Sequence, residues 1–300
     1  MSHSILSSVL KRLEIPGRLS LEEGNADLPK LNITTDTSEA ELYLHGAHLT
    51  DFQKRGEPPI LFTSQFSRFE VGQAIRGGVP IIFPWFGARD GEPSHGFVRT
   101  ANWQLNEATM LPAGGVSLRL GLGESVASAT WPSFTANYIV TVTDVLKMEL
   151  IITNTSPNQE FSFESCLHTY FHVGDIRSTR IAGLNGATYL DKVEGFISKV
   201  ENEQEIGIVG ETDRVYLDTT SAVDILDSKL NRRIRVEKAG SNSTVLWNPW
   251  IVKAQQMPDF GDQEFLQMVC VESGNIGKNR QVLPSGQSST LSVTISSSRL

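Results

Sequence analysis

Short runs in which apolar and polar residues alternate cover most of the chain, and this pattern predicts β-strands because successive strand side chains point to opposite faces. The two clearest runs, Phe134–Thr143 and Val145–Thr153, are separated only by Asp144. Further strands are predicted at 31–35, 40–44, 47–52, 60–62, 102–110, 115–122, 179–184, 215–217, 222–227, 232–238, 243–247, 265–271 and 289–296. One short amphipathic helix is predicted over Ser4–Leu13, where apolar residues recur at helical spacing before Pro16.

Many short strands separated by turn residues are typical of an all-β fold, either an antiparallel sandwich or a barrel. The charged segment Asp191–Arg214 has few strand-forming residues and could be a domain boundary or a loop. We favour one domain, because the two strands that carry candidate chemistry lie on either side of this segment. The expected organisation is an N-terminal helix and lead-in over residues 1–30, followed by a single β-sandwich domain over residues 31–300.

The segment Phe161–Asp175, FSFESCLHTYFHVGD, places titratable side chains in a run that should be buried. Read as a strand, it has one polar face, formed by Cys166, His168, Tyr170 and His172, and one packing face, formed by Leu167, Thr169, Phe171 and Val173. The later segment Gln267–Asn275 places Cys270 and Glu272 on one face in the same way. We therefore predict that the two segments are facing strands of one site.

The charge and the cysteine content limit which binding partners and which cellular compartment we expect. The chain has 34 acidic and 26 basic residues and a net charge of −8, which argues against a nucleic acid or an anionic membrane as its main partner. Two cysteines make no disulfide framework, and no segment has the pattern of a signal peptide or a membrane span. We expect a cytoplasmic protein with reduced thiols.

Two arginines are candidates for binding an anionic ligand. Arg76 precedes Gly77 and Gly78, and Arg99 ends the run that begins at Ser94. Arginine suits bidentate contact with phosphate or carboxylate, and glycines allow backbone to approach a ligand closely. The alternative is an ordinary turn with solvated charges. The spacing matches neither a phosphate-binding P-loop nor a dinucleotide fingerprint.

Other polar residues allow both chemical and structural interpretations. His168 and His172 would lie roughly 13 Å apart on a strand, too far to share a metal ion. Cysteine is a possible nucleophile, but the two thiols are expected to serve packing. Trp247 could stack on a sugar ring and its neighbour Asn248 could bind hydroxyls, or both could form an aromatic core corner. Asp213 is expected in a polar loop.

An ordered set of short motifs then gives the chain a family resemblance. The motifs are Arg76-Gly77-Gly78 with Pro80, Phe83-Pro84-Trp85-Phe86-Gly87, His95-Gly96-Phe97-Val98-Arg99, Leu167-His168-Thr169-Tyr170-Phe171, Thr212-Asp213-Arg214-Val215-Tyr216, Trp247-Asn248-Pro249 and Cys270-Val271-Glu272. From Leu31 to Ser296 the chain resembles the glucose-6-phosphate 1-epimerases, or hexose-6-phosphate mutarotases, of the aldose 1-epimerase superfamily. The resemblance implies a galactose mutarotase-like β-supersandwich, two large antiparallel sheets packed face to face, and no cofactor or metal.

The resemblance also implies roles for single residues. His168 matches the catalytic histidine and Glu272 the catalytic glutamate. The candidates for substrate binding are Arg76, Arg99, His95, Asp213, Ser94 and Trp247. Of these, the two arginines match phosphate ligands, and Ser94 stands where some relatives have Gln.

The implied reaction interconverts the α and β anomers of a hexose 6-phosphate, with glucose 6-phosphate as the expected substrate. Glu272 would remove the proton of the anomeric hydroxyl, and His168, kept charged by nearby carboxylates, would protonate the ring oxygen. The alternatives are a mutarotase of free aldoses such as glucose or galactose, and a non-catalytic carbohydrate-binding protein on the same fold. We expect a monomer that binds a small sugar phosphate and neither nucleic acid nor membrane.

Overall fold

The computed structural model describes residues 11–123 and 131–300. The helix predicted over Ser4–Leu13 falls largely outside these residues. In chain order the strands are β1 (Leu19–Glu23), β2 (Pro29–Thr34), β3 (Ser38–Tyr43), β4 (His48–Lys54), β5 (Ile81–Ile82), β6 (Trp103–Met110), β7 (Val116–Leu122), β8 (Phe134–Val142), β9 (Leu146–Asn154), β10 (Phe161–Phe163), β11 (Ser165–Leu167) and β12 (Tyr170–His172). They continue as β13 (Thr179–Ala182), β14 (Thr188–Asp191), β15 (Ile197–Val200), β16 (Glu205–Gly207), β17 (Thr212–Leu217), β18 (Val223–Asp227), β19 (Arg232–Ala239), β20 (Ser243–Asn248), β21 (Met268–Asn275), β22 (Gln281–Leu283) and β23 (Ser288–Arg299).

Antiparallel pairing joins the described strands into two large and two small sheets. The larger sheet has nine strands in the order β16-β13-β18-β19-β23-β9-β8-β7-β6. The second has eight, in the order β15-β14-β17-β20-β21-β11-β5, with β12 also paired to β21. Strands β1 to β4 form a four-stranded sheet, and β10 pairs with β22. The prediction of an all-β supersandwich is confirmed.

The hydrophobic core lies between the large sheets and follows the alternation seen in the sequence. On β9 the residues Leu146, Met148, Leu150 and Ile152 are buried and alternate with more accessible ones. They belong to the same continuous core as Val269 and Val271 of β21. The opposite face of the eight-stranded sheet carries a second apolar cluster that includes Cys166, Tyr170, Trp247 and Cys270. Residues of even number on β21 therefore face away from the main core.

Several elements differ from the sequence prediction. The segment Asp191–Arg214 contains strands β15 and β16 and the start of β17, so it is part of both large sheets. The strand predicted at 265–271 begins later, because residues Glu264–Gln267 form a 3₁₀ turn. A short helix that was not predicted, α1 (Trp250–Gln256), follows β20. No helix among the described residues is long and apolar enough to cross a membrane.

The strand predicted over Phe161–Asp175 is interrupted but keeps its register against β21. Leu167 pairs with Ser273 and Tyr170 with Cys270, so His168 stands opposite Glu272. The backbone N–H of His168 donates instead to Pro80 O at 3.0 Å. The interruption therefore connects the histidine backbone to the segment that follows Arg76, and the two facing strands are confirmed.

Candidate active site

His168 and Glu272 form the centre of the site. His168 lies between β11 and β12, and its side chain meets that of Glu272 on the neighbouring strand β21, with His168 Nε2 3.2 Å from Glu272 Oε1. The His168 side chain is 10% exposed and that of Glu272 1%. Only the histidine therefore reaches solvent, and any substrate must approach this pair from its side.

Glu272 lies in surroundings that disfavour its charge. Burial, and then the nearby carboxylate of Asp213, raise the pKa of Glu272 well above its usual value, while Lys192 acts in the opposite direction. The Cys166 thiol donates to Glu272 Oε2 at 3.5 Å. Cys166 was expected to be a packing thiol, but it also orients the carboxylate, leaving Oε1 for His168.

His168 is enclosed by aromatic rings. Its imidazole stacks on Tyr170 with centroids 4.9 Å apart and planes at 12°, and the ring of Trp247 meets it edge-on. The imidazole of His95 is also close, and its ring centroid lies 5.6 Å from that of His168. This packing fixes the plane of the imidazole and leaves its Nε2 directed at Glu272.

The expected charge state of His168 is not the one that the structure favours. Burial, and then His95 and the cations Arg99 and Arg76, lower the pKa of His168 well below its usual value. Because the pKa of Glu272 is raised, both shifts disfavour the pair of imidazolium and carboxylate before any ligand binds. The expectation that nearby carboxylates keep His168 charged is therefore wrong for the ligand-free protein.

His95 is held as a neutral imidazole. Its Nδ1 accepts a hydrogen bond from the backbone N–H of Gly87 at 3.2 Å, so any ring proton must be on Nε2. Burial, and then Arg99, Lys192 and Arg76, lower the pKa of His95 to about 3. His95 can therefore donate a hydrogen bond to a ligand but adds no charge.

Arg76 reaches the site from a tightly packed turn. Its guanidinium binds both carboxylate oxygens of Asp259, at 3.2 and 3.3 Å, and donates to the Tyr170 hydroxyl at 3.2 Å. Burial opposes its charge, but Tyr170 and Asp259 outweigh burial and raise its pKa. Asp259 therefore orients this arginine.

The glycines after Arg76 pack against protein backbone rather than leaving room for a ligand. At Gly78, with φ +57°, a Cβ would lie 2.0 Å from Leu49 O. His48 is buried beside them, and its Nε2 lies 2.8 Å from Gly77 O. The alternative of an ordinary solvated turn is excluded, since this segment is fixed by its neighbours.

Arg99 is a half-buried cation that has no carboxylate partner among the described residues. Its Nη2 donates to Ser94 O at 2.7 Å, and its buried Nε has no hydrogen-bond partner among the described residues. Burial, with Arg76 adding to it, lowers the pKa of Arg99 to about 10. An ionised arginine in this position is a strong site for an anion. The Ser94 side chain is exposed, and the residue contributes its carbonyl.

Lys192 is a site residue that the sequence reasoning missed. Its Nζ lies 2.9 Å from Asp213 Oδ2 and 5.5 Å from the centroid of the Phe86 ring. Asp213 belongs to strand β17 rather than to a loop. The only signal in the sequence was a lysine one residue after strand β14, which is too common to single out. The pair brings one cation and one carboxylate beside Glu272.

The remaining candidates divide between the site and the scaffold. Trp247 lies in the site, with its ring 6.3 Å from His168. Asn248 is fully buried and its amide donates to the backbone oxygens of Phe265 and Met268, so it cannot bind a ligand hydroxyl. His172 contacts Arg232 instead of the catalytic pair.

Taken together, the arrangement offers an acid and a base that touch, an aromatic wall, and cations on one side. Such a pair can move protons to and from a bound sugar without a covalent intermediate. The flat ring of Trp247 suits the apolar face of a sugar, and the cations suit an anionic group.

The family model described as "Aldose 1-epimerase" matches residues 29–296. The chain belongs to the aldose 1-epimerase family. A Salmonella typhimurium protein provisionally named glucose-6-phosphate 1-epimerase is 36% identical over 251 residues, which are 82% of this chain and 83% of that protein. A plant relative from Cenchrus ciliaris, with the same provisional name, is 34% identical over 249 residues, covering 80% of this chain and 75% of that protein.

Solved structures of family members agree with the fold. A provisionally identified mutarotase from Salmonella typhimurium superposes with a TM-score of 0.87 and 32% identity. The match covers 99% of this chain and 100% of the mutarotase. The protein HI1317 gives a TM-score of 0.79 at 29% identity, covering 94% and 96%. The aldose 1-epimerase described here is thus an isomerase that interconverts sugar anomers.

Proposed function

We propose that this epimerase acts on a hexose 6-phosphate, with glucose 6-phosphate as its substrate. The observation that carries this proposal is Arg99, a half-buried guanidinium with a buried, unpartnered Nε, a single backbone acceptor and no carboxylate within ion-pair distance among the described residues. Partial burial of an unpaired charge is costly, and a phosphate dianion would relieve that cost through charge-assisted hydrogen bonds. The names of the family relatives are consistent with this substrate.

The phosphate would bind between Arg99 and Arg76. Arg76 is oriented by Asp259 but keeps a side-chain exposure of 28%, so it can add contacts to an anion without leaving its partner. A phosphate at one end of the sugar would place the anomeric carbon at a fixed distance from Arg99 and Arg76. Positioning of this kind accelerates a reaction because binding has already restricted the translation and rotation of the reacting groups.

In the proposed mechanism Glu272 and His168 share the two proton transfers. Glu272 takes the proton of the anomeric hydroxyl, His168 gives a proton to the ring oxygen, and the ring opens to the aldehyde. After rotation about the bond to the aldehyde carbon, the same groups reverse their roles and close the ring as the other anomer. The pair therefore ends with the proton count with which it began.

Binding of the phosphate would also prepare the pair for this step. Arg99 and Arg76 are among the cations that lower the pKa of His168, whereas neither is a leading influence on Glu272. A dianion beside these arginines offsets their field and raises the pKa of His168 more than that of Glu272. The substrate would thereby favour imidazolium and carboxylate, the forms that the mechanism starts from.

Anomer exchange measured by NMR at equilibrium tests the substrate. We expect the protein to accelerate exchange of glucose 6-phosphate far more than that of glucose or galactose. Arg99→Ala should raise KM for the phosphosugar more than for the free sugars, whereas Arg233→Ala, at an exposed arginine of β19, should change neither. Equal acceleration of phosphorylated and free sugars would favour a mutarotase of free aldoses, and no acceleration would favour a sugar-binding protein.

A further inference from the structure

Cys270 gives the catalytic centre a second binding property that anomer exchange does not use. It lies two residues before Glu272 on β21 and on the same face. The Cys270 Sγ, a ring nitrogen of His168 and a carboxylate oxygen of Glu272 all lie within 4.8 Å of one another, and all three residues are buried. We propose that these three side chains bind a thiophilic divalent cation, Zn²⁺ or Cd²⁺, and that the bound ion inhibits the enzyme.

The distances fit a tetrahedral ion with small adjustments. Bonds from Zn²⁺ to nitrogen, oxygen and sulfur of about 2.0 to 2.3 Å place neighbouring ligand atoms roughly 3.3 to 3.7 Å apart. His168 Nε2 and Glu272 Oε1 are already 3.2 Å apart. Because Cys270 Sγ lies within 4.8 Å of a ring nitrogen of His168 and of a carboxylate oxygen of Glu272, the thiol would have to approach these two atoms by about 1 Å at most.

The donor set selects the kind of ion. Imidazole, thiolate and carboxylate suit Zn²⁺ and Cd²⁺, whereas Mg²⁺ and Ca²⁺ prefer oxygen ligands alone. The Cys166 thiol, 3.5 Å from Glu272 Oε2, would hold the carboxylate from behind, as outer partners of metal ligands commonly do. The fourth position would be filled by water on the side of His168, the residue of the pair that reaches solvent.

Inhibition follows from the protons that the ion replaces. Binding removes the proton of the Cys270 thiol and the one proton that His168 and Glu272 share, and both go to solvent. Thiolate and carboxylate then balance the double charge of the ion. The catalytic pair is left with no proton to give to the ring oxygen of the sugar. The carboxylate oxygen of Glu272 that binds the ion can also no longer accept the proton of the anomeric hydroxyl.

Sequence spacing could not find this site. The metal candidate visible in the sequence, His168 with His172, fails because four residues along a strand separate the rings by roughly 13 Å. The ligands proposed here come instead from two facing strands, in which His168 stands opposite Glu272. The pairing of β11, β12 and β21 is what brings them together.

Titration of the chelator-treated full chain with Cd²⁺ tests binding directly, through the ultraviolet charge-transfer absorption of a cadmium thiolate. The chain has two cysteines, so Cys270→Ser and Cys166→Ser form a matched pair. We expect one Cd²⁺ per chain in the wild type and in Cys166→Ser. Cys270→Ser should lose the absorption and bind at least about 10-fold more weakly. Circular dichroism checks folding, and Cys270→Ala provides a second variant.

The binding result decides the site without reference to turnover. No thiolate absorption in the wild type, or an absorption that survives in a folded Cys270 variant, would overturn the proposal. If the absorption disappears in Cys166→Ser instead, the ligand has been assigned wrongly and the three-residue site fails.

The inhibition arm rests on the proposed function. Zn²⁺ should inhibit glucose 6-phosphate exchange by the wild type and by Cys166→Ser, each compared with its own metal-free activity, and a chelator should restore both. Cys270→Ser should resist Zn²⁺ at concentrations at least about 10-fold higher. If Cd²⁺ binds at this site but Zn²⁺ does not inhibit exchange, the proposed inhibition is overturned. Failure of the metal-free enzyme to turn over glucose 6-phosphate would overturn the proposed function, and the cadmium titration would still decide the site.

Discussion

At the scale of single residues, the contact between His168 and Glu272 makes the sharpest prediction. His168→Ala and Glu272→Gln should each lower kcat by about 10²- to 10⁴-fold, because each removes one of two proton-transfer groups. The matched control is His172→Ala on the same strand face, since His172 contacts Arg232 rather than the pair. Stopped-flow polarimetry of fresh α-anomer gives kcat. Near-normal turnover in either catalytic variant would remove the role assigned to that residue.

Lys192 should act on the reaction through its charge. It is the cation that lowers the pKa of Glu272, while Asp213 raises it. Lys192→Met leaves Asp213 unpaired beside Glu272, so the pKa of Glu272 should rise further. The acidic limb of the kcat/KM profile should then move to higher pH, and KM for glucose 6-phosphate should increase.

Lys192→Arg separates charge from packing in this prediction. The variant keeps a cation that can pair with Asp213, so its pH profile should stay near that of the wild type. If Lys192→Met and wild type share one profile, Lys192 has no electrostatic influence on the carboxyl group.

A phosphate group should activate the catalytic pair even when it is not attached to the sugar. Phosphite dianion added to free glucose should accelerate enzymatic anomer exchange, because an anion at Arg99 offsets the field that keeps His168 neutral. Arg99→Ala should abolish the activation. Mixtures without protein correct for catalysis by phosphite itself. An enzyme-dependent rate that does not change with phosphite would show that the phosphate only anchors the substrate.

At the scale of structural elements, the turn that carries Arg76 depends on a glycine that cannot be replaced. Gly78 has φ +57°, and an added Cβ would lie 2.0 Å from Leu49 O. Gly78→Ala should lower the free energy of unfolding by about 2 to 5 kcal/mol, from the left-handed backbone and from overpacking together. Because Arg76 shifts with the turn, KM for the phosphosugar should also rise.

Gly72→Ala is the matched control for this element. Gly72 has φ +80° but nothing within 4 Å of an added Cβ, so only the backbone contribution of about 1 to 2 kcal/mol remains. Urea unfolding of both variants isolates the steric contribution. Equal losses of stability would mean that the turn can move away from Leu49.

The strands were predictable where burial alternates and poorly predictable where it does not. β8 and β9 have one buried and one accessible face, so period-two alternation identified them. β15 and β16 are short and carry charged neighbours, so their segment looked like a loop. The opposition of His168 and Glu272 was predictable because both residues are polar in otherwise apolar strands.

Site features that depend on tertiary contacts could not be predicted. The pairing of Arg76 with Asp259 joins segments far apart in the sequence, and that of Lys192 with Asp213 depends on the pairing of β14 with β17. The charge state of His168 depends on burial and on cations from other elements, and so it was predicted wrongly. Local patterns determine faces of strands, but the field at a buried group is a sum over the whole fold.

At the scale of the whole molecule, the site and the main core lie on opposite faces of the eight-stranded sheet. Val269 and Val271 face the core, while Cys270 belongs to the cluster on the outer face. The polar groups needed for chemistry are therefore kept out of the layer that supplies most of the hydrophobic stability. Although the net charge is −8, the site holds one cation, Arg99, with no carboxylate partner among the described residues, while Arg76 and Lys192 are paired with Asp259 and Asp213. This unpaired positive charge favours an anionic substrate locally.

Burial of neutral histidines should make the whole fold sensitive to acid. Burial lowers the pKa of His48 to about 3 and, with nearby cations, that of His95 to about 3. The unfolded chain binds a proton at each near pH 6.5, whereas the folded chain does so only near pH 3. Between these values the unfolded state holds more protons, so the free energy of unfolding should fall as the pH falls, by up to about 1.4 kcal/mol per pH unit for each histidine.

His48→Gln tests the contribution of one histidine to this slope. The glutamine amide can replace the contact of His48 Nε2 with Gly77 O but cannot take up a proton, so the variant should lose stability less steeply between pH 6.5 and 4. Urea unfolding at several pH values measures both slopes. Parallel slopes in variant and wild type would mean that His48 becomes protonated in the folded protein as readily as in the unfolded chain. That result would require the segment around Gly77 to open to water below pH 6.5, which should also weaken the hold on Arg76 and raise KM for the phosphosugar in acid.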